Sequence, residues 1–525
     1  MAALRSSMAN LETAATRSVA PALNPGRSVA AILFVFVAFW TAFAALSRYN
    51  LDIHGDMLEN FAWGIGWQFG YYKHPPLYSW ISAAWLSVFP RTNFFYHMLS
   101  MTSVAVAAFG MWRISTRFFT PSQQVLLVAM VFFLPPLTFL SINYNATSAM
   151  APFWAFTLLF YIRTLENRRP LNAFMVGFVG GLALLAKYHS AVMLLAIFAH
   201  ALADREARTL LRTKLPLYAI AGGLIPITPH LYWLYETGFQ TVLYAAEQGT
   251  GHWSDSLVGA AQFLPAILIY ALPGFLLLLL HRYPGDGLPI IAREQLQALR
   301  ATVEGRALLA AILLPTLITL VLGLVLDAEL SSLWSIPFFV FFPFIMVSFM
   351  PKSLAERQRV VVPVVITVFC AVALLLAPTV KRLTLENGRS NSAVPIERIA
   401  ETVQAKWRAR AKRPLRIVAA DANFLANGVA FYASDRPYAV QGLQWRITPW
   451  VRPRDVQRVG AVLLCETGPA PCEQAAQRIL GRIDASEAFQ VPSPAGAGGP
   501  ASRAYRLYMR LPAQPAPKPA ATLKG

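Results

Sequence analysis

The chain has 525 residues, of which 56% are hydrophobic and only 14% charged, with a net charge of +19. A soluble chain carries nearer a quarter charged residues, so composition argues against a soluble multidomain protein, and disorder over most of the length is excluded. Three cysteines exclude a secreted disulfide scaffold, and the excess of basic residues is tested first as the flanks of membrane spans.

A polar leader, 1–28, precedes the first apolar run and shows no cleavage site, so that run reads as an anchor. About eleven apolar runs follow at 29–47, 95–112, 123–141, 146–162, 172–186, 188–203, 215–235, 257–281, 306–326, 335–350 and 359–378. Each approaches the ~17–25 residues that a bilayer crossing needs. The fifth and sixth form one stretch too long for a single crossing, and the split is placed at Lys187-Tyr188-His189. The expected fold class is therefore a multi-span all-α membrane bundle of 10–13 spans over 29–378.

Basic residues orient it. One set of loops (1–28, 113–122, 163–171, 204–214, 282–305, 351–358) holds 17 Lys and Arg; the other set before the last span holds Arg48, Lys73, Arg91 and Lys187 only. The positive-inside rule puts the first set, and the N-terminus, in the cytoplasm. The region after the last span then lies outside.

That region changes character. Strand signals at 415–418, 438–440, 461–464 and 505–508 alternate with helical pattern at 394–408, 423–432 and 471–481, giving a small extracytoplasmic α/β domain over 379–510. Residues 511–525 are Pro/Ala/Lys-rich and read as a disordered tail. From 379 onward there are 22 Lys and Arg against 10 Asp and Glu, a balance that suits an anionic membrane surface or glycolipid, or simply a solvated face. Cys465 and Cys472 flank a Gly/Pro turn on the oxidising side, where a disulfide is expected.

Chemistry concentrates in the first outer loop, 48–94, too long for a connector. Its stretches 57–68 and 76–89 are amphipathic and rich in Trp and Tyr, so they read as interfacial helices. Asp52, Asp56 and Glu59 fall four and three apart and share a face if helical; crowding raises at least one pKa and suits a general base. Lys73 and His74 follow, stiffened by Pro75-Pro76. Cations beside carboxylates at a bilayer surface suit a phosphate-bearing lipid. Lys187, a lysine at a tight outer turn against the charge trend, joins them. Asn143, Asn145, Tyr188 and His230 are further outward-facing polar groups, with Glu236, Glu247, His252, Asp255, Asp327 and Glu329 in later loops. His54, His74, Asp56 and Glu59 offer donors for a divalent metal, without tight ligand spacing. No phosphate-binding P-loop or dinucleotide fingerprint is present, which argues against a nucleotide-driven pump or nucleotide-sugar enzyme. With the basic excess read as membrane flanks and a basic outer domain, no nucleic-acid partner is expected.

At Gly55-Asp56 and Tyr71-Tyr72-Lys73-His74-Pro75-Pro76-Leu77 the chain resembles the bacterial family 39/83 membrane glycosyltransferases of the GT-C fold, relatives of protein O-mannosyltransferases and lipid A aminoarabinose transferases. Asn143-Tyr144-Asn145-Ala146, Leu185-Ala186-Lys187-Tyr188, Pro229-His230-Leu231 and Trp334-Ser335-Ile336-Pro337 recur in the family's order. The resemblance implies a polyprenyl-phosphate sugar donor, transfer on the outer face of the inner membrane, and a glycolipid, polysaccharide or protein acceptor. It implies Asp56, with Glu59, as the catalytic acids, and Lys73, His74 and Lys187 at the donor phosphate. Asp52, Tyr71, Tyr72, Asn143, Asn145, Tyr188 and His230 would contact substrate. Where the family's lysine precedes the paired prolines, this chain has His74, with Lys73 one position earlier in place of the usual acid. Two other readings compete: a flippase for lipid-linked substrates, which midplane charges or inverted repeats would favour, and a scaffold whose basic outer domain binds anionic glycan.

Overall fold

The computed structural model describes residues 24–52, 54–247, 253–279, 293–328, 330–350, 352–387, 391–466 and 472–513. Much of the leader, the tail from 514, His252 and Glu329 lie outside the described residues.

Two architectures share one chain. The first is a helical bundle. Helix α1 (Pro25–Ser47) starts where Asn24 accepts the Arg27 N–H at 3.2 Å and Pro25 supplies a helical φ. Two short helices follow in the first loop, α2 (Asp56–Gly64) and α3 (Leu77–Val88), close to the expected interfacial stretches. Then come α4 (Asn93–Ser115), α5 (Pro121–Ala129), α6 (Ala146–Asn167), α7 (Pro170–Ala186), α8 (Ala191–Ala203), α9 (Leu215–Glu236) and α10 (Gln240–Ala246). The bundle closes with α11 (Trp253–Leu279), α12 (Arg293–Ala301), α13 (Val303–Val325), α14 (Phe342–Ser348) and α15 (Lys352–Glu386).

All eleven apolar runs coincide with helical segments, but they are not equal. Five helices among the described residues are long and apolar enough to cross a membrane: α1, α4, α11, α13 and α15. Large apolar side chains such as Leu268, Ile269 and Leu375 stand open on α11 and α15, as a lipid-facing surface requires. The run at 123–141 departs from expectation. Its α-helix stops at Ala129, continues as a 3₁₀ turn to Phe133 and breaks at Pro135-Pro136, because proline has no N–H to donate and clashes with the preceding turn. The run at 335–350 is likewise a 3₁₀ segment through Pro337 followed by α14. The break at Lys187 is as expected: Lys187 is extended, with φ −163° and ψ 137°, between α7 and a short 3₁₀ turn leading into α8. The last helix runs on past 378 to Glu386.

The second architecture is a five-stranded sheet flanked by helices. Helix α16 (Ile396–Ala411) leads into β1 (Ile417–Ala420), α17 (Asn423–Tyr432), β2 (Tyr438–Val440), α18 (Pro453–Val459), β3 (Ala461–Glu466), α19 (Cys472–Leu480), β4 (Ala485–Pro492) and β5 (Ser502–Arg510). The order is β2-β1-β3-β5-β4, parallel about β1 and antiparallel from β3 outward. Period-two alternation sorts the faces. Ile417, Ala419, Leu463 and Cys465 pack under α18 and α19. Val418, Ala420, Val462 and Leu464 join Val403, Trp407 and Val429 of α16 and α17 in a core continuous with the bundle. Cys465 and Cys472 are disulfide-bonded, with Cα atoms 6.2 Å apart. Edge strand β4 carries no strand signal in sequence, since its mixed Ala, Ser, Glu and Gln leave most of it half open to solvent.

Candidate functional site

The first loop is built around the start of α2. Gly55 precedes the helix at φ +90°, a left-handed conformation that costs a side chain, and a Cβ there would also meet the Phe424 ring at 3.1 Å. Asp52 turns back to cap this helix: its carboxylate accepts the N–H of Gly55 and, at 2.6 Å, that of Met57. Asp52 is 1% exposed. Burial pushes its carboxyl upward against those two N–H groups. The helix begins only at Asp56, so the three acids do not share one helical face: Asp52 is a buried cap, while Asp56 and Glu59 sit one turn apart on α2.

The two acids on α2 have different fates. Glu59 accepts both its hydrogen bonds from Lys73 Nζ, at 3.0 and 3.1 Å. Burial pushes the Glu59 carboxyl upward against the pull of that ammonium. For Lys73 burial pulls down, but Glu59 and Tyr72 override it and the net shift is upward. The Lys73 ammonium also lies over the Tyr72 and Trp63 rings, 5.3 and 5.9 Å from their centres. Asp56 is exposed and makes no hydrogen bond or ion pair among the described residues.

Opposite stands Lys187. The extended backbone at the α7–α8 break delivers its Nζ to Thr147 Oγ1, at 2.8 Å, and over the Trp334 ring, at 5.4 Å. Burial pulls the ammonium down to about 8, with the Asp56 carboxylate opposing. His74 lies in the same field: burial, then Lys187 and Lys73, hold its imidazole down to about 3, so it enters as a neutral group. Asp56, Lys187 and His74 therefore share one electrostatic neighbourhood, while Glu59 and Lys73 neutralise each other at its edge.

The remaining expected residues frame this centre. Asn145 caps α6, its Oδ1 accepting the N–H groups of Thr147 and Ser148 at 2.9 and 3.0 Å. The cap fixes Thr147, the partner of Lys187. Asn143 accepts a hydrogen bond from the Arg48 guanidinium. Tyr71 is buried, stacked 5.2 Å over Trp63 and edge-on to Trp450 of the second architecture at 5.8 Å, so it forms wall rather than surface. Tyr72 meets Tyr244 at 5.7 Å. His230 ties helix to loop. Its Nδ1 lies 2.6 Å from the Phe69 carbonyl, which can only accept, so Nδ1 carries the proton and Nε2 accepts from Tyr188 Oη at 2.6 Å. Sequence reading missed Thr147 and Arg48; an Asn cap two residues before a threonine was the signal available for the first.

As for a metal, the ligand-type side chains that gather among the described residues are Asp421, Cys465 and Cys472, and the disulfide takes both sulfurs. His54, His74, Asp56 and Glu59 do not converge in this way.

Residues 73–233 match the family model of dolichyl-phosphate-mannose-protein mannosyltransferases. The chain is 25% identical over 213 residues to the lipid A galacturonosyltransferase RgtD of Rhizobium johnstonii, a match that takes in 39% of this chain and only 42% of that relative. Its structure superposes on ArnT of Cupriavidus metallidurans bound to undecaprenyl phosphate, with a TM-score of 0.59 and 13% identity over 92% of this chain and 98% of that one. The apo form of ArnT gives 0.46 at 11% identity, over 91% and 97% of the two chains. The chain has the fold of ArnT, and the resemblance to the GT-C membrane glycosyltransferases carried by its motifs holds in both sequence and fold.

Proposed function

We propose that the chain is an integral inner-membrane glycosyltransferase that moves a sugar from a polyprenyl-phosphate donor to an envelope acceptor on the outer face. The N-terminus lies in the cytoplasm and the sheet domain outside, as the 17-to-4 division of basic residues supports. The single observation that carries the reading is that an exposed carboxylate without a partner among the described residues, Asp56, lies in the field of a half-buried ammonium, Lys187, held by Thr147 at the α7–α8 break. Support also comes from the family match, which spans Lys73 to Trp233 and so includes Lys187, and from a like-folded structure that holds undecaprenyl phosphate.

The chemistry balances without a nucleotide. The acceptor hydroxyl attacks the anomeric carbon and its proton passes to Asp56. The bond from that carbon to the phosphate oxygen breaks, and the phosphate leaves on its lipid with the electron pair. Lys187 faces the charge that develops there, in surroundings where burial strengthens the interaction. His74, neutral, contributes a hydrogen bond rather than a charge. Glu59 and Lys73 hold the loop in register beside them. The acceptor is a glycolipid, a polysaccharide or a protein; similarity to a lipid A transferase favours a glycolipid.

The test is donor binding. Lys187→Ala is expected to weaken undecaprenyl-phosphate binding to the purified chain at least tenfold, with an unchanged melting temperature. Equal affinity in the variant would remove Lys187 from the donor site. Similarity to a galacturonosyltransferase and to the mannosyltransferase family model favours transfer over a flippase, and the crowded carboxylates speak against a mere scaffold.

A further inference from the structure

A cavity lies at the end of the bundle away from the first loop. Helix α4 carries Asn93, which accepts the Tyr432 hydroxyl, at the end nearest the first loop, and Ser115 at its far end. Its 23 residues span about 34 Å at ~1.5 Å per residue. At that far end a cavity of about 410 Å³ is lined by Arg117, Phe118 and Phe119 after α4, Glu166 near the end of α6, and residues of α12 and α13 that include Gln295 and Glu304. The volume is that of a small-molecule or headgroup site.

Its polar groups are unbalanced in a telling way. Arg117 is the only guanidinium in the lining among the described residues, and its charge is already taken by Glu166. Glu304 makes no ion pair among the described residues, yet it lies close enough to Glu166 to disfavour ionisation there, with burial as the larger cause. Arg163, outside the lining, sits over the Phe160 ring. The side-chain oxygen of Gln295 is buried without a hydrogen-bond partner among the described residues. An unmet buried acceptor is costly and calls for a donor. The cavity thus offers acceptors from three elements, α6, α12 and α13, over an apolar floor of Phe119 and Leu299, and the guanidinium in its lining is already paired.

We propose that this cavity binds a primary ammonium, whose three N–H groups meet Gln295, Glu304 and Glu166. On a membrane protein the ammonium can come from a phosphatidylethanolamine headgroup or from a free amine. The proposal stands apart from the transfer reading and does not depend on it.

The experiment titrates the purified full-length chain with short-chain phosphatidylethanolamine, with the phosphatidylcholine of the same acyl chains, and with ethanolamine, reading bound molecules by native mass spectrometry. The choline nitrogen has no N–H, so the phosphatidylcholine is expected to bind at least tenfold more weakly than the phosphatidylethanolamine. Glu304→Gln and Gln295→Leu are each expected to lose about tenfold in affinity at unchanged melting temperature. Ethanolamine binding as tightly as the lipid would assign a soluble amine; binding of the lipid alone would assign the headgroup. Equal binding of the two lipids, no saturable binding of either amine, or full affinity in both variants would overturn the proposal. Should Glu304→Gln fail to fold, Gln295→Leu on the short α12 decides alone.

Discussion

Asp56 and Lys187 carry the proposed chemistry, and their coupling makes a pH prediction with a definite sign. The Lys187 ammonium loses its proton near 8, so donor phosphate affinity is expected to be highest below that pH and to fall as pH rises through it. Asp56→Asn removes the carboxylate that favours the charged form, so the fall should move to lower pH. Titration of undecaprenyl-phosphate binding from pH 6 to 10 checks both; a flat profile in the unsubstituted chain would contradict the assignment. Single residues were unevenly legible in sequence. Lys187 was visible because it breaks the charge trend. Asp52 looked like a third member of an acidic face, but a left-handed Gly55 starts the helix one residue later and converts Asp52 to a cap. Glu59 was expected beside Asp56 as a catalytic acid, but its contact with Lys73 at 3.0 Å was not readable, because thirteen residues separate the two in sequence.

At the scale of elements, small residues and polar ties hold the frame. Helices α7 and α9 meet at Gly177 and Gly222, where a Cβ would overlap the carbonyl oxygens of Ala219 and Phe174. That close approach fixes the Lys187 turn against the His230 end of α9. Gly177→Ala should force the helices apart and cost about 1–3 kcal/mol, seen as a lower melting temperature. His230→Phe should cost a similar amount, about 1–3 kcal/mol, because the Phe69 carbonyl and Tyr188 hydroxyl lose their partner. Unchanged melting in either variant would show that these contacts do not hold the frame. The long apolar helices were readable, because apolar runs are local signals, whereas the short α10, α12 and α18 carried no such run. The 3₁₀ stretch at 130–137 was not readable, since a continuous apolar run hid the effect of two prolines. Strand β4 was missed for a related reason: an edge strand open to solvent needs no hydrophobic alternation.

Across the whole molecule, the sheet domain is built onto the first loop rather than hung beside it. Arg91 donates to the carbonyls of Phe431 and Ala433, at 2.7 and 3.1 Å, and so ends α17. Asn50 donates to the carbonyls of Asn391 and Val394 at 2.6 and 2.9 Å. Phe431 packs edge-on to Phe61 at 5.2 Å, and Phe424 lies against Gly55. The helix bearing Asp56 is thus sandwiched between bundle and sheet domain. Arg91→Ala is expected to loosen that seat and to speed proteolysis between α15 and α16 several-fold, with an accompanying loss of activity. Unaltered cleavage would mean the domain is held by its apolar contacts alone. The sequence revealed that such a domain exists, but not where it docks, because docking depends on side chains hundreds of residues apart.

The proposed transfer from a polyprenyl-phosphate donor depends on Asp56 as its base. Mass spectrometry of envelope lipids and glycans from matched wild-type, deletion and Asp56→Asn strains tests it most directly. Deletion and substitution should both remove one sugar-sized mass from an acceptor and accumulate polyprenyl-phosphate sugar, and the lost mass would identify sugar and acceptor together. An Asp56→Asn strain with the wild-type profile, beside a deletion strain that lacks it, would contradict the account.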